Sequence, residues 1–101
     1  MKMKTRAEIR TRLKHKLSCY LEEIARRDKE RDAPTAVWKV EYLRNDCEQR
    51  QSQIEELLWV LGWRPSEVYE EIAAGHADIG ERVQAYETAV IAAVRKETQG
   101  D

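Results

Sequence analysis

Three features of this 101-residue sequence predict an all-α fold. Good helix formers (Glu, Lys, Arg, Leu and Ala) dominate, and four glycines, two prolines and no phenylalanine leave long stretches without a breaker. Apolar residues recur in steps of three and four, the helical period, and not in strict alternation. Thr5-x-x-Glu8 and Asp78-x-x-Glu81 carry the spacing of helix-capping boxes. The expected architecture is a single helical domain over 1–101. A long antiparallel helical hairpin (about 5–31 and 33–61) is followed by two shorter helices (about 66–74 and 78–97).

The first helix opens at Thr5, whose hydroxyl suits an amide of the first turn. Ile9, Leu13, Leu17, Tyr20, Leu21 and Ile24 form one stripe along it. Its end, Arg26 to Arg31, has no apolar anchor. Asp32-Ala33-Pro34 is the first break, with Pro34 expected in the first turn of the next helix and Asp32 as its cap. Val40, Leu43, Cys47, Arg50, Ile54, Leu57 and Leu61 then alternate by three and four, which is the spacing of a helical seam, and Gly62 is the expected stop. At ~1.5 Å per residue each long helix spans roughly 40 Å. Ser66 is expected to cap the third helix and Gly75 to end it, with Val68, Tyr69 and Ile72 on its apolar face. Ile79, Val83, Tyr86, Val90, Ala93 and Val94 form the stripe of the fourth, and the last residues, Thr98 to Asp101, are expected to fray. Leu57 and Leu61 should face helix one, and Leu58 and Trp63 should hold helix three at an angle. Trp59 and Val60 are left on faces the hairpin does not use.

Charge is balanced overall, at −1, but polarised along the chain. Lys2, Lys4, Arg6, Arg10, Arg12, Lys14 and Lys16 crowd the first 17 residues against Glu8 alone. From Ser66 onward Glu67, Glu70, Glu71, Asp78, Glu81, Glu87, Glu97 and Asp101 face Arg82, Arg95 and Lys96. The basic arm could contact phosphates, but no aromatic residue is interleaved before Tyr20 to stack on bases. No apolar run approaches the ~18–20 residues that span a membrane, and the basic N-terminus lacks the apolar segment of a secretory signal. With two cysteines, this predicts free thiols in a reducing cytoplasm. His15 and Cys19 share a helix face, and a hairpin turning near Ala33 would bring Cys47 level with them, but a fourth metal ligand is missing. His15 and His76 are the near-neutral bases, and no nucleophile–base pattern, Gly-rich phosphate loop or HExxH-type motif accompanies them. The expectation is a non-enzyme with no cofactor, no metal and no small-molecule substrate.

Leu61, Gly62, Trp63 and Val68 fit the slots of a helix-turn-helix, in which a glycine permits the sharp turn and apolar residues fill the angle. That makes a small DNA-binding regulator one alternative. Leu58 departs from the pattern, which puts a small residue four places before the glycine. Glu67, Glu70 and Glu71 depart further, because carboxylates on a recognition helix repel phosphates and disfavour direct nucleic-acid binding. A structural homodimer is the other alternative.

The Thr5 capping-box opening and the helix end "EELLWVLG" give the chain a resemblance to the small, charged, helix-rich proteins of phages and mobile elements, anti-CRISPRs among them. The resemblance implies a non-enzymatic inhibitor that binds a bacterial nucleic-acid-handling complex and blocks DNA access or nuclease recruitment. No family motif fixes its contacts. The chemistry of the residues nominates Trp59, Trp63 and Tyr69 as anchors, with Glu67, Glu70 and Glu71 as charged contacts.

Overall fold

The computed structural model describes residues 5–99 and contains four helices in chain order: α1 (Arg6–Asp32), α2 (Val37–Val60), α3 (Pro65–Gly75) and α4 (Ile79–Thr98). The first two form the expected hairpin. Lys16 Nζ donates to Gln53 Oε1 at 3.0 Å, Glu23 shares a hydrogen bond with Asp46, and Glu30 holds Thr35. Partners thus draw closer in sequence toward the turn, as antiparallel neighbours must.

The core follows the stripes closely. Ile9, Leu13, Leu17 and Tyr20 of α1 meet Cys47, Ile54, Leu58 and Leu61, and Val90 and Val94 of α4 close the cluster. Leu43 is buried too. On α2 the buried side chain of the last turn is Leu58, while Leu57 is half-buried. Leu58 therefore belongs to the hairpin core, against which Trp63 packs. The first turns of α4 depart from expectation, since Ile79 and Val83 are exposed. Helix α4 packs on both α1 and α2, and α3 packs chiefly on α4.

Helix ends explain the boundaries. Thr5 Oγ1 accepts from the Glu8 amide at 3.2 Å, and Asp78 Oδ1 from the Glu81 amide at 3.0 Å, as the sequence spacing requires. Between the long helices the sequence expectation fails. Asp32 is the last residue of α1, Pro34 lies in the connection, and Ala36 occupies the cap position of α2. The capping oxygen comes instead from the preceding helix. Glu30 Oε1 accepts from the Thr35 amide (2.6 Å), the Thr35 hydroxyl (2.7 Å) and the Ala36 amide (3.2 Å). One buried carboxylate thereby ties down the connection at Thr35 and satisfies the amide of the cap residue Ala36, and its charge suits a helix N-terminus.

At the far end Gly62 has φ +104, a conformation that strains any residue with a Cβ. The Gly62 amide donates to the Trp59 carbonyl and the Trp63 amide to the Leu58 carbonyl, each at 3.0 Å. These are the paired bonds of a Schellman cap, and Trp63 folds back on the core as the motif's apolar contact. Ser66 is not the cap of α3. Pro65 takes the first helical position after Arg64, where its missing N–H is harmless.

The tail of α1, expected to lack an anchor, has a polar one. Arg27 Nη1 and Nη2 grip Glu87 of α4 at 2.9 and 3.0 Å, with both side chains largely buried. Thr98 lies in α4, its hydroxyl donating to the Val94 carbonyl at 2.8 Å. Gly100 and Asp101 lie outside the described residues, as do Lys2 and Lys4 of the basic arm.

Two carboxylates give the hairpin opposite pH responses. The hydrogen bonds from Thr35, first its hydroxyl, lower the Glu30 pKa. Its stabilising effect is present above the ordinary glutamate value (~4.3) and is lost as pH falls through the depressed one. Glu23 is raised, first by sharing a hydrogen bond with Asp46, then by burial and by the Asp46 charge, while Arg26 and Arg50 oppose the shift. The stability that its proton confers is full below the ordinary value and is lost as pH rises through the raised one. Thermal denaturation across pH should therefore show Glu30→Gln less stable than the parent at pH 7, with a smaller acid loss. Glu23→Gln, which keeps a donor toward Asp46, should be more stable than the parent at pH 7, and the gain should shrink toward pH ~4.

Candidate acidic and aromatic interface

Trp59 sits at the end of α2 with 58% of its surface exposed, beside Val60 at 59%. It lies outside the inner seam, which explains why neither α1 nor α4 covers it. The Arg64 guanidinium lies 5.4 Å from the centre of its ring. Arg64 Nη1 also reaches the Trp59 and Trp63 carbonyls, each at 3.3 Å. A cation at a helix C-terminus satisfies open carbonyls and complements the helix dipole, and here it also stacks on an aromatic face. The indole is held in place and still open to solvent.

Trp63 and Tyr69 turn inward around Tyr86. The Trp63 and Tyr86 ring centres are 6.1 Å apart, and Tyr69 meets Tyr86 edge to face at 5.8 Å. The Tyr86 hydroxyl donates to Glu55 of α2, and burial, then that bond, pushes the phenol pKa up. This aromatic cluster fastens α3 to α4 and α4 to the hairpin. Trp63 is half-buried in it, and Tyr69 keeps 41% of its surface exposed. Of the aromatic anchors nominated from sequence, Trp59 presents most to a partner.

Glu67, Glu70 and Glu71 are exposed on α3, and among the described residues they make no salt bridge or side-chain hydrogen bond. Tyr69 and Glu70 also rim a groove of about 1010 Å³ between the hairpin and the α3–α4 pair. Val40, Arg44 and Cys47 line its α2 wall, Val83 and Glu87 its α4 wall, and Tyr20 its floor. Among the described residues the buried Tyr20 hydroxyl has no hydrogen-bond partner, and burial, then the Glu87 charge, raises its pKa. Burial pushes the Cys47 thiol up to about 11, so it is a protonated apolar filler at neutral pH and a poor nucleophile.

The other clusters considered from sequence fall apart. Cys19 Sγ lies 3.9 Å from His15 Nε2 on the outside of α1, whereas Cys47 is in the core, and both cysteines are free. Among the described residues no three His, Cys, Asp or Glu side chains are placed to hold a metal. His76 pairs with Glu81 at 3.6 Å near the start of α4. The helix-turn-helix slots are filled, but α3 leans on α4 and turns its carboxylates outward. No described helix is long and apolar enough to cross a membrane. No family model matches this chain, and no curated protein or solved structure is found to match it.

Sequence spacing did not single out Arg64 or Glu55. Nothing in a linear pattern marks a side chain that bends back to carbonyls five residues earlier, or a carboxylate that meets a phenol 31 positions on.

The unpartnered Tyr20 hydroxyl gives a direct test of the floor. A buried donor without an acceptor costs about 1–3 kcal/mol, so Tyr20→Phe should be more stable by about that amount in urea denaturation. A loss above ~1 kcal/mol would mean that the hydroxyl has a partner in solution.

Proposed function

We propose that this chain is a non-enzymatic protein-interaction module, an inhibitor of the anti-CRISPR kind. It docks on a basic, nucleic-acid-handling surface of a bacterial complex. The observation that carries the reading is the solvent-facing carboxylate row of α3, Glu67, Glu70 and Glu71, which makes no ion pair or side-chain hydrogen bond among the described residues. Unpaired carboxylates match a surface shaped for phosphates, speed encounter and repel competing acidic surfaces. An indole held by Arg64 supplies contact area with little loss of side-chain freedom on binding. Tyr69, at the groove rim, adds a second aromatic edge, and Trp63 supports the site from below.

The DNA-binding alternative needs the same α3 in a groove lined by phosphates. That helix carries three outward carboxylates and no Lys or Arg between Pro65 and Gly75. Counterion release, the main source of DNA affinity, then has no cation to work through on this element.

Expression in a CRISPR-immune bacterial strain should restore phage plating by several orders of magnitude. Glu67→Lys/Glu70→Lys/Glu71→Lys should lose that effect while its helical circular dichroism is unchanged, because all three sites are exposed. Restoration by the triple variant at full strength would remove α3 from the interface. Tight, steeply salt-dependent binding of the parent chain to duplex DNA would favour the regulator instead.

A further inference from the structure

The face of α2 opposite the core is a second seam. Trp38, Tyr42, Asn45, Gln49, Ser52, Glu56 and Val60 follow one another in steps of four and three, and all are exposed. At ~100° per residue they lie on the side of the helix away from Leu43, Cys47, Ile54 and Leu61. Only Glu56 among these seven is charged, in a chain whose residues are 37% charged. A solvated face of such a protein would carry lysines and glutamates. This one carries aromatic and apolar ends and a neutral, hydrogen-bonding middle. Trp38 is 67% and Tyr42 62% exposed, and their rings already meet edge to face at 6.1 Å. Among the described residues Asn45, Gln49 and Ser52 make no side-chain hydrogen bond within the chain.

The order of residues along the seam points to its occupant. Positions 38 and 60 lie eleven residues either side of Gln49, and positions 42 and 56 lie seven either side. We propose that the seam pairs antiparallel with the same seam of a second copy, across a two-fold axis at Gln49. Trp38 then packs on Val60 of the partner subunit, and the Tyr42 hydroxyl reaches Glu56 of the partner subunit. Gln49 meets Gln49 of the partner subunit, where the two amides can exchange donor and acceptor. The Trp38 and Tyr42 contacts each occur twice and the Gln49 pair lies on the axis, as an isologous interface requires. A parallel pairing would set Glu56 against Glu56 of the partner subunit, and that like-charge contact favours the antiparallel arrangement. The seam is roughly 33 Å long. Two helices meeting over that length sit near the lower limit for specific association, about 1,000–1,200 Å² in total, so the dimer is expected in the micromolar range. The dimer uses a face separate from Glu67, Glu70 and Glu71 and does not rest on the inhibitor reading.

Sedimentation velocity should show a concentration-dependent monomer–dimer equilibrium. Gln49→Arg, which sets two like charges across the axis, should weaken it at least ~10-fold with unchanged helical content. The orientation is read by cross-linking in a Cys19→Ser/Cys47→Ala background. Gln49→Cys should oxidise to a covalent dimer and Tyr42→Cys should not, because the antiparallel register carries position 42 away from its own copy. A parent chain that stays monomeric at hundreds of micromolar would overturn the proposal. So would Tyr42→Cys cross-linking as readily as Gln49→Cys.

Discussion

Eleven buried apolar side chains, among the described residues, have to hold four helices together, and that thin core sets the terms for everything else. Most of it lies in the seam between α1 and α2, where Leu13, Tyr20, Ile54 and Leu58 are shut off from solvent. Burial of each such side chain stabilises by about 1.5–3 kcal/mol. Little apolar surface remains to fasten α3 and the start of α4. Those parts are held by directed contacts instead: Arg27 on Glu87, the Tyr86 hydroxyl on Glu55, and the Trp63–Tyr86–Tyr69 ring cluster. The groove above Tyr20 is the space left where those contacts end.

The same economy explains why apolar residues remain outside. A single stripe on α2 can serve α1, and α4 takes one shoulder of the helix beside it. Trp59 and the Trp38–Tyr42 pair lie beyond both. In a chain of mean hydropathy −0.77 these are not spare core residues that failed to fit. They lie on the side of α2 away from the core, and each has polar chemistry beside it: the Arg64 guanidinium on Trp59, neutral amides and a hydroxyl below Trp38.

How much of this could be read from the sequence depends on whether the signal was local. Caps made by a neighbour three residues away, Thr5 with Glu8 and Asp78 with Glu81, were legible, and so was Gly62. The three–four stripes located the hairpin and most of its core. The start of α2 was not legible, because its capping oxygen comes from Glu30, across a turn, and Asp32 offered a nearer decoy. Ile79 and Val83 continue a correct stripe, yet the stripe outruns the surface available to bury it. Trp63 was read both as a brace for α3 and as an anchor, and the Schellman turn places it half-buried against the core. The carboxylates of α3 were legible as a charged row, and their lack of partners was visible only in three dimensions.

The proposed interface needs Trp59 held in place by Arg64 and open to solvent in the free chain. Acrylamide and iodide quenching at nanomolar concentration tests it most directly, in a chain where Trp38 and Trp63 are replaced by Phe and helical circular dichroism is retained. Red-shifted emission with quenching close to that of free indole is the result the account requires. Blue-shifted, poorly quenched emission from the dilute monomer would mean that the chain buries Trp59 by itself, and the interface at the end of α2 would not exist.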